Sequence, residues 1–525
     1  MQKFNTANWL KIITGIAVLY SCPSFMVRAD NQGNNQSTII AVAACDSFAE
    51  IRQQFAWVGN LIGIPVLGGL PDTYAMMTTG GKGLQGLDIN RPIGVVVSAQ
   101  GDTPIIHGFL PATDAQSLIE TFADIPFRSM IEMTNAEEWV LVTPQGQPAT
   151  INDPQDMLSS ITSHLSVGVK LFPSQLPETL KESLLDSAEQ GLGVINSTEN
   201  PVQAKFLDGL PVQGFDKDVA SDTLAQLEAV LFGFSVDKEN DRIFLESRTI
   251  FSERSTAGGF WATAGEVESS LRLPSAVGPY AIKLQVAQHL DDITQLKDME
   301  EGLLTGLGQI KQAQLGELAR KVSTVLLPQI SKYEALELVA GLAPPKNLEG
   351  EQPLPSVVLG MGIADGYAMA EQLKTVFKEE DSIPENITIE FDVAEADGFS
   401  FHDIVMMPLG KVTLAIGENC LYAMTQAADE SEYKALSREP VESFRPIAAV
   451  NVRLESLLGG VAELSPEMAM VSENLKPQGE LDLLVRPITR GLAVRLSADG
   501  EAVQTHAALG TKVSALKPTN AVIGE

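Results

Sequence analysis

The sequence predicts an α+β fold: two diverged copies of a unit of antiparallel sheet covered by helices. Three observations predict it. Strand-length segments alternate apolar and polar residues with period two, helical apolar spacing follows such segments, and each half closes on a hairpin. The copies are expected at residues 38–270 and 271–512, with 513–525 left as a C-terminal tail.

The chain begins with an export signature. Lys3 and Lys11 accompany the apolar run Ile12–Tyr20, and Val27-Arg28-Ala29 has the form of a cleavage site, so residues 1–29 read as a signal peptide. Leu19-Tyr20-Ser21-Cys22 offers a competing reading in which Cys22 carries a lipid anchor; Tyr20 is bulky for that signal. Residues 30–37 are polar and read as a disordered spacer. No later stretch is long and apolar enough for a transmembrane helix. The expected location is therefore exported: periplasmic, secreted or envelope-associated.

The first unit opens with strand Ile39–Ala44 and a helix capped by Ser47 and Glu50, with Phe48, Ile51, Phe55 and Val58 on one face. A short helical stretch, Tyr74–Thr78, follows. The pair Ile93–Ser98 and Thr103–Leu110 flanks the turn Gln100-Gly101-Asp102. Thr113 is expected to cap the next helix with Gln116, its buried face being Ala115, Leu118, Ile119 and Phe122. Phe127–Met133 and Trp139–Thr143 form a hairpin. In His164–Leu171 the expected apolar face is Leu165, Val167, Val169 and Leu171, and Pro177 opens a helix. Phe234–Val236 and Arg242–Phe251 close the unit around Asp237–Asp241.

The second unit repeats the pattern without repeating the residues. Tyr280–Val286 alternates and a helix follows at Ile293–Leu304. A helical insertion is expected near 310–342, broken at Pro328, with Leu315, Leu318, Val322 and Leu326 buried. Pro355–Phe377 is one strand and a helix carrying Met369, Leu373, Val376 and Phe377 on one face. Ile387–Ala394 with Phe399–Met407, and Val412–Ile416 with Cys420–Thr425, form hairpins. Ala448–Leu454 alternates, and Leu481–Val485 with Leu492–Leu496 close the unit.

Composition excludes some functions. The chain has 525 residues, 36 basic against 67 acidic, and a formal charge of −31. Lys3, Lys11 and Arg28 fall in the signal, so the exported chain would be more acidic still. Such a balance opposes nucleic-acid binding and docking on anionic lipid. Cys45 and Cys420, one in each half, are the only cysteines beyond the signal; they make no disulfide framework and read as separate half-buried thiols, with a Cys45–Cys420 bridge across the halves as the competing reading.

Candidate chemistry is sparse. Gly81-Lys82-Gly83-Leu84-Gln85-Gly86 fits a dinucleotide fingerprint, but a helix precedes it and a strand follows, the reverse of what phosphate binding needs. Among His107, His164, His289, His402 and His506, no pair has metal-site spacing. His402-Asp403 with Met406 and Met407 is the only local cluster. Asp237–Asp241 lacks the glycine and terminal glutamate of a calcium loop. Methionines recur along apolar segments, among them Met76, Met77, Met130, Met133, Met361, Met369 and Met424, and would suit a deformable apolar cavity or ordinary gap filling.

The stretches TIIAVAACDSFAEIRQQFAWVGNLIG (38–63) and GLQGLDINRPIGVVVSAQGDTPIIHGFLPATD (83–114), behind a signal sequence, resemble uncharacterised exported proteins of planctomycete-type bacteria. That resemblance implies export and supplies no activity or site residue.

The expected function is that of an exported, non-catalytic structural or binding protein of the cell envelope. The alternatives are a carrier of apolar, lipid-like ligands and a hydrolase whose groups converge only in three dimensions, with His402 and Asp403 as its lead. No catalytic, cofactor-binding or metal residue is assigned and no cofactor is expected. The expected partner is an apolar ligand or an envelope protein.

Overall fold

A computed structural model describes residues 37–125, 128–147, 151, 153–196, 217–255, 271, 273, 280–289, 313–333, 335–344, 355–378, 387–396, 398–406, 410–425, 447–464 and 478–505. Residues 1–36, expected as signal peptide and spacer, the expected tail, the helix expected at Ile293–Leu304 and the pairing residue Met407 lie outside them. The architecture is mixed helix and antiparallel sheet. Among the described residues no helix is long and apolar enough to cross a membrane. The chain divides into two compact units. The first takes residues up to 239 with 243–260 and 488–493, and the second takes the remainder. The boundary expected near residue 270 lies outside the described residues.

In the first unit β1 (Thr38–Cys45) leads to α1 (Phe48–Leu61), whose N-cap Ser47 accepts the Glu50 amide as expected. A 3-10 turn (Pro65–Gly69) runs into α2 (Leu70–Thr78), longer than the sequence pattern indicated. Strands β2 (Ile93–Gln100) and β3 (Thr103–Pro111) follow, then α3 (Ala115–Thr121), β4 (Ile131–Ala136), β5 (Trp139–Pro144), α4 (Gln155–Thr162) and β6 (Val167–Leu171). Helices α5 (Glu178–Asn196) and α6 (Lys217–Gln226) precede β7 (Leu227–Asp237) and β8 (Arg242–Phe251). Antiparallel pairing sets the order β4–β5–β3–β2–β1–β6–β7.

Both faces of this sheet are covered. Leu118 of α3 and Phe48 of α1 join Leu110, Val140 and Met133 on one face. Leu158 and Ile161 of α4 join Val42, Val96, Phe109 and Leu231 on the other. Helix α4 lies directly on backbone: Gly94, Ala44, Gly168 and Gly233 form one cross-strand row. A Cβ on Gly94 would stand 2.1 Å from Leu158 Cδ2, and one on Gly168 2.8 Å from Ile161 Cγ2. This row inverts one expectation. Gly168 faces the helix and Val167 is exposed, because close helix contact demands the small residue inward. His164 and Leu165 belong to the turn after α4, not to β6.

The cap of α3 also differs from expectation. Asp114, not Thr113, accepts the Ser117 amide, while the Thr113 hydroxyl donates to the Gly86 carbonyl. Asp114, with extended backbone, is the residue immediately before the helix, so its charged carboxylate reaches the amide of the third helical residue.

The second unit contains β9 (Ile282–His289), α7 (Ala313–Tyr333), β10 (Ala335–Ala343), β11 (Ser356–Gly362), α8 (Gly366–Phe377), β12 (Ile387–Ala396), β13 (Phe399–Met406), β14 (Gly410–Ile416), β15 (Cys420–Thr425), β16 (Ala448–Arg453), α9 (Leu454–Leu464), β17 (Glu480–Ile488) and β18 (Gly491–Asp499). The pairing order is β12–β13–β14–β15–β11–β10–β9–β16–β17, again antiparallel throughout. The helical insertion near 310–342 is corrected on two counts. Pro328 lies inside α7 without ending it, and residues 335–343 form a strand with strictly alternating burial. Helices α7 and α8 cover one sheet face through Val325, Ile330, Met369 and Leu373; Phe401, Tyr422, Met424 and Tyr280 pack on the other.

Candidate functional site

The second unit holds the described cluster richest in ionisable and hydroxyl groups around a groove. Helix α8 starts at Asp365, which accepts the Ala368 amide. From there Tyr367, Glu371 and Lys374 follow at i, i+4 and i+7, on one helical face. Beside it β12 leaves regular pairing: its register with β13 shifts between Glu390 and Ala394, and Asp392 in that bulge has φ +54°. A non-glycine residue in the left-handed region marks a position held by its surroundings. The bulge places Asp392 against α8, where Lys374 Nζ lies 2.8 Å from Asp392 Oδ2 and 2.8 Å from Glu371 Oε1. The hydrogen bond to Asp392, then that to Glu371, raises the Lys374 pKa. Tyr367 donates to the Gly398 carbonyl at 3.0 Å. A groove of about 490 Å³ is lined by these residues with Glu395, Phe399 and Ser400.

Beneath it His402 is 2% exposed, with the Phe391 ring edge-on at 5.5 Å. The Asp392 amide donates to Nδ1 at 3.0 Å, and Ser400 Oγ lies 3.2 Å from Nε2. With Nδ1 accepting, the neutral ring carries its hydrogen on Nε2 and donates to Ser400. A serine nucleophile needs the reverse: a bare Nε2 to take the hydroxyl proton, with Nδ1–H given to an acid. Burial lowers the His402 pKa, which keeps the ring neutral. The ring thus satisfies the amide of the bulge.

Asp403 alternates to the other side of β13. Thr413 Oγ1 donates to its Oδ1 at 2.7 Å and Lys411 pairs with Oδ2 at 2.6 Å. His402 and Asp403, adjacent in sequence, do not converge. The Met406 side chain lies outside the described residues.

The first unit has its own polar features. Arg91 stacks over the Trp139 ring at 4.6 Å and pairs with Glu138 at 2.8 Å. They line a groove of about 660 Å³ with Glu137, Asp153 and Gln155. His107 is buried against Ser98, Nε2 to Oγ 3.2 Å, and burial lowers its pKa. Neither groove is lined by a methionine: Met133, Met369 and Met424 fill cores, whereas Met76, Met77 and Met130 are exposed. Sequence reasoning missed Arg91, Trp139, Lys374 and Asp392. Only the Glu371–Lys374 spacing on a helix carried a signal.

The remaining sequence candidates take structural places. Gly81, Gly83 and Gly86 have positive φ, and the Gly86 carbonyl accepts the Thr113 and Asp114 amides at the start of α3. The glycine loop therefore fills that helix end itself. Lys238, at the tip between β7 and β8, pairs with Glu50 at 2.7 Å. Both Cys45 and Cys420 are free thiols; burial raises both, Cys420 to about 11. His289 has an undescribed side chain and His506 lies outside the described residues. Among the described residues no group of three or more His, Cys, Asp or Glu is placed to hold a metal ion.

No family model matches the chain. No curated protein matches it. A solved structure titled as crystal form I of TP0453 aligns with 47% of this chain and 99% of its own length, at 9% identity and a TM-score of 0.22. A likeness of that size carries no argument about fold or function.

Proposed function

We propose that this chain is an exported, non-catalytic structural or binding protein of the cell envelope, built from two diverged copies of one α+β unit. The observation that carries the non-catalytic reading is the hydrogen-bond direction at His402. The Asp392 amide occupies Nδ1, so the best-placed histidine–serine pair is wired to support a bulge, not to activate a hydroxyl. The test is labelling with a serine-directed fluorophosphonate, alongside nitrogen-15 spectra of the histidine rings. The reading expects no labelling and an Nε2-protonated His402. Labelling abolished by Ser400→Ala would overturn it.

The duplication is supported by pairing order. In the first unit β2, β3, β5 and β4 lie successively to one side of β1, with β6 and β7 to the other. In the second, β10, β11, β15 and β14 lie to one side of β9, with β16 and β17 to the other. The helix after the third strand is capped by an aspartate in both, Asp114 and Asp365. Hairpin β12–β13 is then an addition to the second copy, and the bulge site belongs to the addition. An experimental structure in which these strands fail to superpose in order would end this reading.

Export rests on Lys3, Lys11, Ile12–Tyr20 and Val27-Arg28-Ala29. N-terminal sequencing of the chain recovered from an envelope fraction tests it, with Asp30 the expected first residue and a lipid-modified Cys22 the competing outcome.

A further inference from the structure

The apolar side chains of α2 point the wrong way for a helix of a self-contained unit. Ala75 is its buried residue, with Thr79 buried at its C-cap, and the 3-10 turn and helix carry an outward stripe: Val66 72%, Leu70 44%, Tyr74 72% and Met77 77% exposed. The spacing is i, i+4, i+8 and i+11, one continuous face. Met76 and Phe55 are also exposed on the same helical pair. The arrangement is fixed from beneath. Gly68 leaves room for Ala56 of α1, whose Cβ would stand 2.9 Å from an added Gly68 Cβ, and Arg52 pairs with Asp72 at 2.9 Å. Small residues dock the inner side of α2 and the large apolar ones are left over.

We infer that this stripe is an interface with a second copy of the chain. Two observations choose that occupant. The first is area. At these exposures the six side chains present on the order of 600 Å² of apolar surface, at the top of what a monomer leaves open. It is of the same order as the ~800 Å² each partner contributes to a standard interface. A self-complementary stripe on a short rigid helix suits an isologous pairing, the commonest symmetry of soluble oligomers. The second is charge. The chain carries −31, yet Asp72 is the only side chain of formal charge between Gln53 and Gly81, and Arg52 pairs with it. The stripe is a neutral window in an acidic surface, where two copies meet with least repulsion. Its apolar contact and the repulsion of the remaining charge then oppose each other, so association must tighten as salt screens that charge.

Sedimentation equilibrium of the purified full chain tests this, at low and at high sodium chloride. The expected result is a monomer–dimer equilibrium whose Kd falls severalfold from low to high salt. Tyr74→Glu with Met77→Glu should weaken it at least a hundredfold. Both side chains are exposed, so the variant should keep the far-ultraviolet spectrum and melting temperature of the parent. A parent that stays monomeric at about 100 μM would overturn the inference. So would a dimer unaffected by the double substitution, or one that weakens with salt. Flotation with phosphatidylcholine vesicles identifies the rival occupant: a monomer that floats through Tyr74 and Met77 places lipid on the stripe and overturns the second copy.

Discussion

The two units solve one packing problem in different ways. In the first, glycines let a helix approach the sheet: Leu158 and Ile161 of α4 rest over Gly94 and Gly168. In the second, glycines on β10 and β11 lie under tyrosine rings. An added Cβ on Gly341 would stand 2.5 Å from the Tyr280 ring, on Gly360 2.5 Å from Tyr422, and on Gly362 2.5 Å from Tyr333. The first unit needs a helix at that face; the second covers its gaps with flat side chains from the sheet and its flanks. A missing Cβ is thus no sign of a weak strand when something specific fills its space. Beyond β14, at one edge of its sheet, the second unit carries the hairpin β12–β13.

The comparison breaks first at its largest contacts. Tyr422 is buried and pairs across from Gly360, so Tyr422→Ala should cost about 3–5 kcal/mol, the range for deleting a buried aromatic ring. Urea unfolding with hydrogen exchange should place the loss in β10, β11 and β15. A loss spread equally over β1 and β2 would mean the ring does not act locally.

In the first unit a double-mutant cycle is sharper than one deletion. Leu158→Ala should cost about 2–5 kcal/mol and Gly94→Ala about 1–3 kcal/mol by overpacking. Together they should cost less than their sum by about 0.5–3 kcal/mol, because the added methyl occupies space the leucine vacates. Strict additivity of the two would show that α4 does not rest on Gly94.

Smaller again is the shared aspartate cap. Asp365→Ala should destabilise by about 1 kcal/mol, through loss of the bond to the Ala368 amide, with Asp365→Asn nearly silent. Equal losses from both would assign the effect to charge instead of to the cap.

These contacts separate what the sequence can reveal from what it cannot. Strands with clean sequence alternation, such as Tyr280–Val286 and Ala448–Leu454, are legible from that period-two pattern, although Ile282–Val286 and Ala448–Arg453 are half-buried on both faces. The helix at Gly366–Phe377 is legible because Met369, Leu373 and Phe377 recur on one turn-spaced face. Ala335–Ala343 is not, since alanine, leucine and glutamate favour helix and only pairing with β9 and β11 overrides them. The inward glycine of β6 is illegible for a related reason: hydrophobicity marks Val169 and Val167, while the helix selects for absence of bulk. At the site, His402 and Asp403 drew attention as neighbours, but alternation sends them to opposite faces. Asp392 carries no local signal, because a bulge is a property of two strands together.

The smallest effect at neutral pH, and the most specific, concerns the two buried histidines. His107 and His402 each have a serine at 3.2 Å, and burial lowers both pKa values from 6.5. A histidine whose folded pKa lies below its unfolded value binds more protons when unfolded in the interval between them. Stability is therefore complete above 6.5, falls as pH drops below it, and levels once the folded ring also titrates. The rings should differ in what protonation breaks. His402 has an amide on Nδ1, so its protonation must break the Asp392 amide bond and turn the bulge toward its carboxylate, whose Oδ1 lies 3.8 Å from Nδ1 and which also holds Lys374, whereas no such amide bond ties His107 to a bulge. His402→Gln should flatten the stability profile below 6.5 while leaving stability at pH 8 nearly unchanged if its amide oxygen takes over the Asp392 bond. Amide spectra of the parent below 6.5 should move first at Asp392 and Lys374. A titration in which those amides stay still while His402 protonates would show that the ring does not hold the bulge.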